Sequence, residues 1–223
     1  MMSAKFSFQL LIFSSLLISF SCKEKTEKDN SFLLPIIGEK TISGNSSDTV
    51  YHRIADFSFT NQYGETVTQK EVENKIYVAD FFFATCQSIC PVMSTHMRLV
   101  QNAFAKDQDV LILSHSVNPA HDSVEVLRQY ADRFNAVKGK WHLLTGDKKS
   151  IYELAKNSYL VNALEDDGSA EGFLHSELFL LVDTKKRIRG MYDGTDSTQV
   201  IKLIKDIQLL KTEKDASNTT MDE

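Results

Sequence analysis

Two kinds of apolar pattern alternate along this chain, and together they set out most of its elements. Nearly continuous runs of Val, Ile, Leu and Phe occupy Ile76 to Phe83, Asp109 to Val117 and Trp141 to Leu144. Runs without alternation are what strands show when both faces are covered. Stripes at helical spacing follow: Met93, Met97, Val100 and Phe104, then Val124, Leu127, Ala131 and Phe134, and late in the chain Val200, Ile204, Ile207 and Leu210. Each predicts a helix with one buried face. Asp122 with Glu125 predicts a capping-box-like start for the second of these helices, Ser197 caps the last, and a further helix is predicted over Lys148 to Lys156. Phe57 and Phe59 alternate ahead of a turn at Asn61 to Glu65, and Thr66 to Thr68 follows, which predicts a hairpin. A second hairpin is predicted from Glu177 to Val182 and Arg187 to Tyr192 about Asp183-Thr184-Lys185-Lys186, with a polar loop over Glu165 to Gly172 before it.

Strand, helix, strand, helix, strand, hairpin, helix is the order of an α/β thioredoxin-like fold: a central mixed sheet flanked by helices, with an N-terminal hairpin. This domain covers residues 51–211, and residues 212–223 read as a solvated, disordered tail. Ahead of it, residues 22–50 are charged and then rich in Ser, Gly and Asn, the composition of a flexible tether. The apolar patch from Phe32 to Ile37 is a candidate edge segment packed on the domain. Residues 1–21 carry a positive Lys5 and an apolar stretch from Phe6 to Phe20, the layout of a signal peptide for export and too short for a flanked membrane span. That stretch closes on small residues before Cys22, which resembles a bacterial lipoprotein signal. The resemblance implies that Cys22 is lipidated and that the domain is held outside the cytoplasm, in the cell envelope; an ordinary signal cleaved near Ser21, or an uncleaved anchor, is the plainer alternative.

Composition narrows the function. A hydrophobic content of 42% supports a core without a disulfide scaffold, and a net charge of -5 argues against nucleic acid, whose backbone needs a surplus of Lys and Arg. Of three cysteines, Cys86 and Cys90 remain after Cys22 is assigned to processing. They follow the first buried strand at once, with Pro91 behind them, so they sit in a turn that opens a helix. A helix N-terminus favours thiolates, and if the segment is even partly helical the i,i+4 spacing puts both sulfurs on one face. Such a pair can be a redox couple with a reversible Cys86–Cys90 disulfide, or two ligands of a metal. Three residues separate the cysteines where a thioredoxin-type exchanger has two, and Leu174-His175 stands where such an exchanger places a proline. Two thiolates with the His175 imidazole would make a soft three-coordinate site suited to Cu(I). Asp80, a carboxylate inside an apolar strand beneath the cysteines, is a candidate for tuning a thiol or pairing with a buried partner.

Taken as a set, Phe82-Phe83-Ala84-Thr85-Cys86 through Cys90-Pro91, Ser116-Val117-Asn118-Pro119-Ala120-His121-Asp122, Trp141-His142-Leu143-Leu144-Thr145-Gly146 and Leu174-His175-Ser176 resemble the Sco/SenC family over roughly Tyr51 to Leu210. The resemblance implies a membrane-tethered, thioredoxin-fold protein that binds copper through Cys86, Cys90 and His175. It also implies a client, the copper-bearing subunit of cytochrome c oxidase or another exported copper protein. The chain departs from the family in a neutral Gln87-Ser88-Ile89 between the cysteines, in Asn118, and in Lys185-Lys186 at the late turn. A thiol-disulfide oxidoreductase that reduces the cysteines of oxidase or of other exported proteins is the alternative. A peroxiredoxin-like peroxidase fits poorly, because no isolated catalytic cysteine with its Thr and Arg is evident. His52, His96, His115, His121 and His142 match no motif and are read as surface or packing residues.

Overall fold

The computed structural model describes residues 33–42, 49–161 and 176–219, with side chains to Glu213. Two short strands, β1 (Lys40–Ile42) and β2 (Thr49–Tyr51), pair antiparallel in an exposed two-stranded sheet. The predicted hairpin follows as β3 (Ser58–Asn61) and β4 (Thr66–Thr68). The middle of the fold is β5 (Ile76–Phe82), α1 (Cys90–Ala103), β6 (Val110–Ser116), α2 (Val124–Phe134), β7 (Trp141–Thr145) and α3 (Lys148–Asn157). The last part is β8 (Leu178–Val182), β9 (Ile188–Asp193) and α4 (Ser197–Thr219). Seven strands form one mixed sheet in the order β4-β3-β7-β6-β5-β8-β9. Strands β5, β6 and β7 run parallel at its centre, and β3 and β8 join them antiparallel on either side.

The unbroken apolar runs explain this centre. Every residue of β5 and β6 is buried, because α1 and α2, with α4 packed beside α1 and against β5 and β9, cover one face of the sheet and α3 with the segment around Ile54 and Phe57 covers the other. Met93, Met97 and Val100, the stripe read from the sequence, are all buried on α1, and Leu127, Ala131 and Phe134 do the same for α2.

Three local expectations change. Asp122 does not cap α2: Ser123 does, its hydroxyl accepting from the Val126 amide, while Asp122 turns inward and is fully buried. Asp196, not Ser197, caps α4, through the Thr198 amide at 2.7 Å. Composition predicts a disordered tail from residue 212. Instead α4 runs on to Thr219, and Glu213 is ion-paired with Arg189 at 2.8 Å. That pair belongs to a buried clasp at the pole of the sheet where β5 begins. Arg189 donates to the carbonyls of Leu34 and Pro35 at 2.6 and 3.0 Å and to Asp183 at 3.1 Å, and Ile37 bridges to Ile188 on edge strand β9. The apolar patch ahead of the domain is therefore docked as an edge segment. The signal peptide and Cys22 lie outside the described residues.

Candidate functional site

Strand β5 ends at Phe82 at the pole opposite this clasp, and residues 83–89 form the turn that carries the thiols into α1. Cys86 lies in the turn, its amide bonded to the Phe83 carbonyl at 3.2 Å. Cys90 is the first residue of α1, and Pro91 follows in the first turn, where a missing N–H costs nothing. The segment between the cysteines is not helical, so the facing of the sulfurs comes from the turn and not from helical spacing. Both cysteines are free thiols and both are buried, at 4% and 3% exposure.

The two thiols titrate in opposite directions. Burial would push the Cys86 thiol up, but hydrogen bonds from the Ser88 hydroxyl, from Cys90 and from their backbone amides outweigh it and hold Cys86 below the usual thiol range. Burial pushes Cys90 well above that range, and its hydrogen bond to Cys86 and the charges of Cys86 and Asp80 push the same way. The sequence reading put both cysteines under the helix dipole as thiolates. In the structure only Cys86 is shifted that way, because burial and then the charge of its neighbour act against a thiolate at Cys90.

A chain of buried polar groups supports this turn from the α1/α2 side of the sheet. Asp122, fully buried, accepts from the Ser116 hydroxyl at 2.6 Å and from the Ala84 amide at 3.0 Å, which pins the chain two residues before Cys86. Asp80 accepts from the Ser114 hydroxyl at 2.5 Å, and that oxygen accepts from the Trp141 indole N–H at 2.8 Å. Burial raises the Asp80 carboxyl to about 7 against the single opposing bond from Ser114. The Tyr130 hydroxyl lies 2.8 Å from the Ser94 hydroxyl and donates to the Cys90 carbonyl at 3.5 Å. Asp80 therefore joins the thiol environment, as its place in the strand suggested. Asp122, Ser88 and Tyr130 were missed as site residues. The one available signal was the adjacency of two helix-cap candidates, Asp122 and Ser123, only one of which a cap can use.

His175 lies outside the described residues. β8 begins at Leu178, three residues further on, and the pairing of Ala79 with Leu180 and of Tyr77 with Val182 puts the start of β8 at the pole where β5 gives way to the cysteine turn. Ser176 is buried there, and the Glu177 carbonyl accepts from the Gly194 amide. Among the described residues no group of three or more His, Cys, Asp and Glu could hold a metal ion. The described donors are thus two soft sulfurs, a set that fits a soft ion such as Cu(I) once one more ligand is added. The other histidines are packing residues or, for His121, exposed at the surface. His96 bonds the Gly194 carbonyl at 2.7 Å, His52 the Ser158 carbonyl at 2.7 Å, and His121 is 3.1 Å from Asp122. His142 is buried beside Asn61, and His115 is fully enclosed.

A parallel-centred sheet with a dithiol at the turn from its central strand into a helix defines a thioredoxin-like protein whose site is built for sulfur chemistry or soft-metal binding. The SCO1/SenC family profile matches residues 46–210, and the chain belongs to that family. A SCO1/SenC family lipoprotein from Bacillus anthracis is similar at 30% identity and a TM-score of 0.65, over 72% of this chain and 95% of that one. BsSco, a member of the Sco family of cytochrome c oxidase assembly proteins in which a disulfide switch has been identified, is similar at 29% identity and a TM-score of 0.63, over 72% and 94%. ScoI of Bradyrhizobium japonicum with copper bound shares the fold at 23% identity and a TM-score of 0.58, over 70% and 98%.

Proposed function

We propose that this chain binds copper through Cys86, Cys90 and His175 and serves copper-centre assembly of cytochrome c oxidase, with copper as its cargo. The observation that carries the reading is the buried pair of free thiols at the pole where β8 starts, three residues after His175. Family membership and the copper-bound relative support it. The Cys86 thiol gives up its proton more readily than an ordinary thiol and Cys90 less readily, so Cys90 is the ligand whose deprotonation opposes loading. The near-complete burial of both sulfurs keeps the pair from water and from adventitious oxidants. In the same reading Cys22 carries a lipid, the residues between it and the docked segment that begins at Leu34 act as a tether shorter than the 22–50 read from composition, and the domain works in the cell envelope on an exported client; the lipoprotein relative supports this.

Anaerobic titration of the full chain with Cu(I) against a chromophoric chelator tests the ligand set. One Cu(I) per chain is expected, lost in Cys86→Ser, Cys90→Ser and His175→Ala. Stoichiometric binding retained by His175→Ala would remove the imidazole from the site.

A second reading, thiol-disulfide exchange, is favoured by the opposed titration of the two thiols. The Cys86 thiolate would attack a client disulfide and form a mixed disulfide, releasing one client thiolate. Cys90, giving up its proton, would then attack the Cys86 sulfur, leaving the client as a dithiol and the pair as a disulfide, with two electrons passed to the client. His175→Ala should spare this exchange while abolishing copper binding, and a variant with the reverse pattern would favour the oxidoreductase.

A further inference from the structure

At the pole opposite the thiols, a cavity of about 450 Å³ opens between the β8–β9 turn, the 3-10 turn of Gln69–Val72 and the segment before β3. Arg53, Lys70, Lys185 and Lys186 line it, against two acids, Asp56 and Glu73. Asp56 is spoken for by Lys186 at 2.8 Å. Arg53, Lys70 and Lys185 are exposed and make no side-chain ion pair among the described residues. A net positive cavity in a chain of net charge -5 is a local concentration and not a reflection of composition. Its backbone is fixed: Lys186 donates its amide to the Asp183 carbonyl, and its own carbonyl accepts from Ile54 at 2.8 Å. Thr184 and Lys185 also line a second cavity, whose wall includes Leu33, the first described residue and 53% exposed. The cationic cavity thus adjoins the point where the N-terminal segment joins the domain.

We propose that this cavity receives the phosphate of an anionic lipid headgroup in the membrane to which the chain is tethered. The proposal rests on the tether reading above. The chemistry is phosphate recognition by exposed Lys and Arg, whose attraction to an anionic surface extends over about a Debye length, roughly 8 to 10 Å. Its structural consequence is orientation. The cavity and the cysteine turn lie at opposite ends of the seven-residue strand β5, about 20 Å apart at the rise of an extended strand. A headgroup held at one pole turns the thiols away from the bilayer and toward a partner.

The test uses the full chain with vesicles of phosphatidylcholine alone or mixed with phosphatidylglycerol. It follows flotation and hydrogen exchange at residues 69–74 and 183–187. Exchange in both segments is expected to slow only when phosphatidylglycerol is present, and to recover in high salt. In Lys70→Gln/Lys185→Gln the effect should weaken about thirty-fold, between about five- and six-fold for each cation removed. Flotation on both vesicles with equal exchange would overturn the proposal and leave the tether standing. Flotation on the anionic vesicles alone, with slowed exchange, would support the cavity and remove the tether. Slowing by inorganic phosphate in solution, with none from phosphatidylglycerol, would overturn the lipid assignment in favour of a free anion.

Discussion

The two faces of the central sheet handle buried polarity in opposite ways. On the α1/α2 face, which supports the thiols, the described polar groups are paired: Trp141 to Ser114 to Asp80, Ser116 and Ala84 to Asp122, Ser94 to Tyr130. On the other face, one residue further along β6, His115 is wholly enclosed, and neither ring nitrogen has a hydrogen-bond partner among the described residues. Phe81 stacks on it at 5.2 Å, and Phe57, Phe59 and Tyr159 ring it at 5.6 to 6.1 Å. The paired face holds a reactive site in place. The aromatic face holds a polar group that contributes bulk and no hydrogen bonds, a stability cost of about 1 to 3 kcal/mol for a buried unsatisfied group.

The contrast becomes measurable through pH, because Asp80 and His115 have opposite linkage. Burial depresses His115 to about 3, below the unfolded value, so the fold favours the neutral ring. Its contribution is complete above the ordinary histidine pKa and is lost as pH falls toward about 3. Asp80 is raised to about 7, so the fold favours the neutral acid. Its contribution is complete below the ordinary carboxylate pKa and is lost as pH rises toward about 7. Each slope approaches about 1.4 kcal/mol per pH unit, and in the window between the two ordinary pKa values they oppose one another. The largest expected effects come from removing one of the two. Relative to the parent, His115→Phe should become less stable on going from about pH 4.5 to about pH 6.5 by roughly 2 kcal/mol, and Asp80→Asn more stable by a similar amount. Urea unfolding at the two pH values reads both. Parallel curves for parent and variants would show that neither group is held away from water. At neutral pH His115→Phe should also be the more stable protein by about 1 kcal/mol, since the ring volume is kept and the orphaned nitrogens are gone.

A smaller effect is expected where pairing itself is removed. Asp122→Ala leaves the Ser116 hydroxyl and the Ala84 amide without their acceptor and opens space beside the cysteine turn. It should cost about 2 kcal/mol in urea unfolding and make the thiols react faster with a disulfide reagent, because the turn is no longer pinned. Asp122→Asn, which keeps one acceptor oxygen, should recover most of the protection. Destabilisation without faster thiol reaction would make Asp122 a packing residue only.

These differences mark where the sequence was legible. The strands of the seven-stranded sheet, its two hairpins and the buried faces of α1 and α2 follow from apolar periodicity, since period and burial are the same fact seen twice, whereas β1 and β2 fall in the stretch read as tether. The cysteine turn was legible too, because a buried strand running directly into Cys86 leaves the chain few courses. The fate of polar side chains was not. Asp122 and Ser123 are both good caps, and only the tertiary position of Ala84 decides which of them turns inward. His115 sits in an apolar run with no sign that its ring would find aromatic walls, and Glu213 looked like tail until Arg189, distant in sequence, claimed it. Long-range pairing is invisible to a reading that works through neighbours.

The smallest expected effect tests the paired face at the thiol itself. Ser88 stands in the neutral stretch between the cysteines, and its hydroxyl lies 3.5 Å from the Cys86 sulfur, long for an oxygen acceptor but within reach of a sulfur. That bond is one of several opposing burial, so removing it should raise Cys86 only modestly, with the Cys90 and backbone bonds retained. In Ser88→Ala the pH at which iodoacetamide alkylation of Cys86 reaches half its plateau should move up by a fraction of a unit, with the rate at neutral pH falling about three-fold. Cys90 should stay slow in both proteins, because its thiol is held in the protonated form by burial and by its neighbour. If Ser88→Ala leaves the Cys86 profile unmoved, the lowering of that thiol belongs to Cys90 and the turn amides alone. The asymmetry would then be a property of the dithiol and its backbone, and the residues between the cysteines could vary without altering which sulfur reacts first.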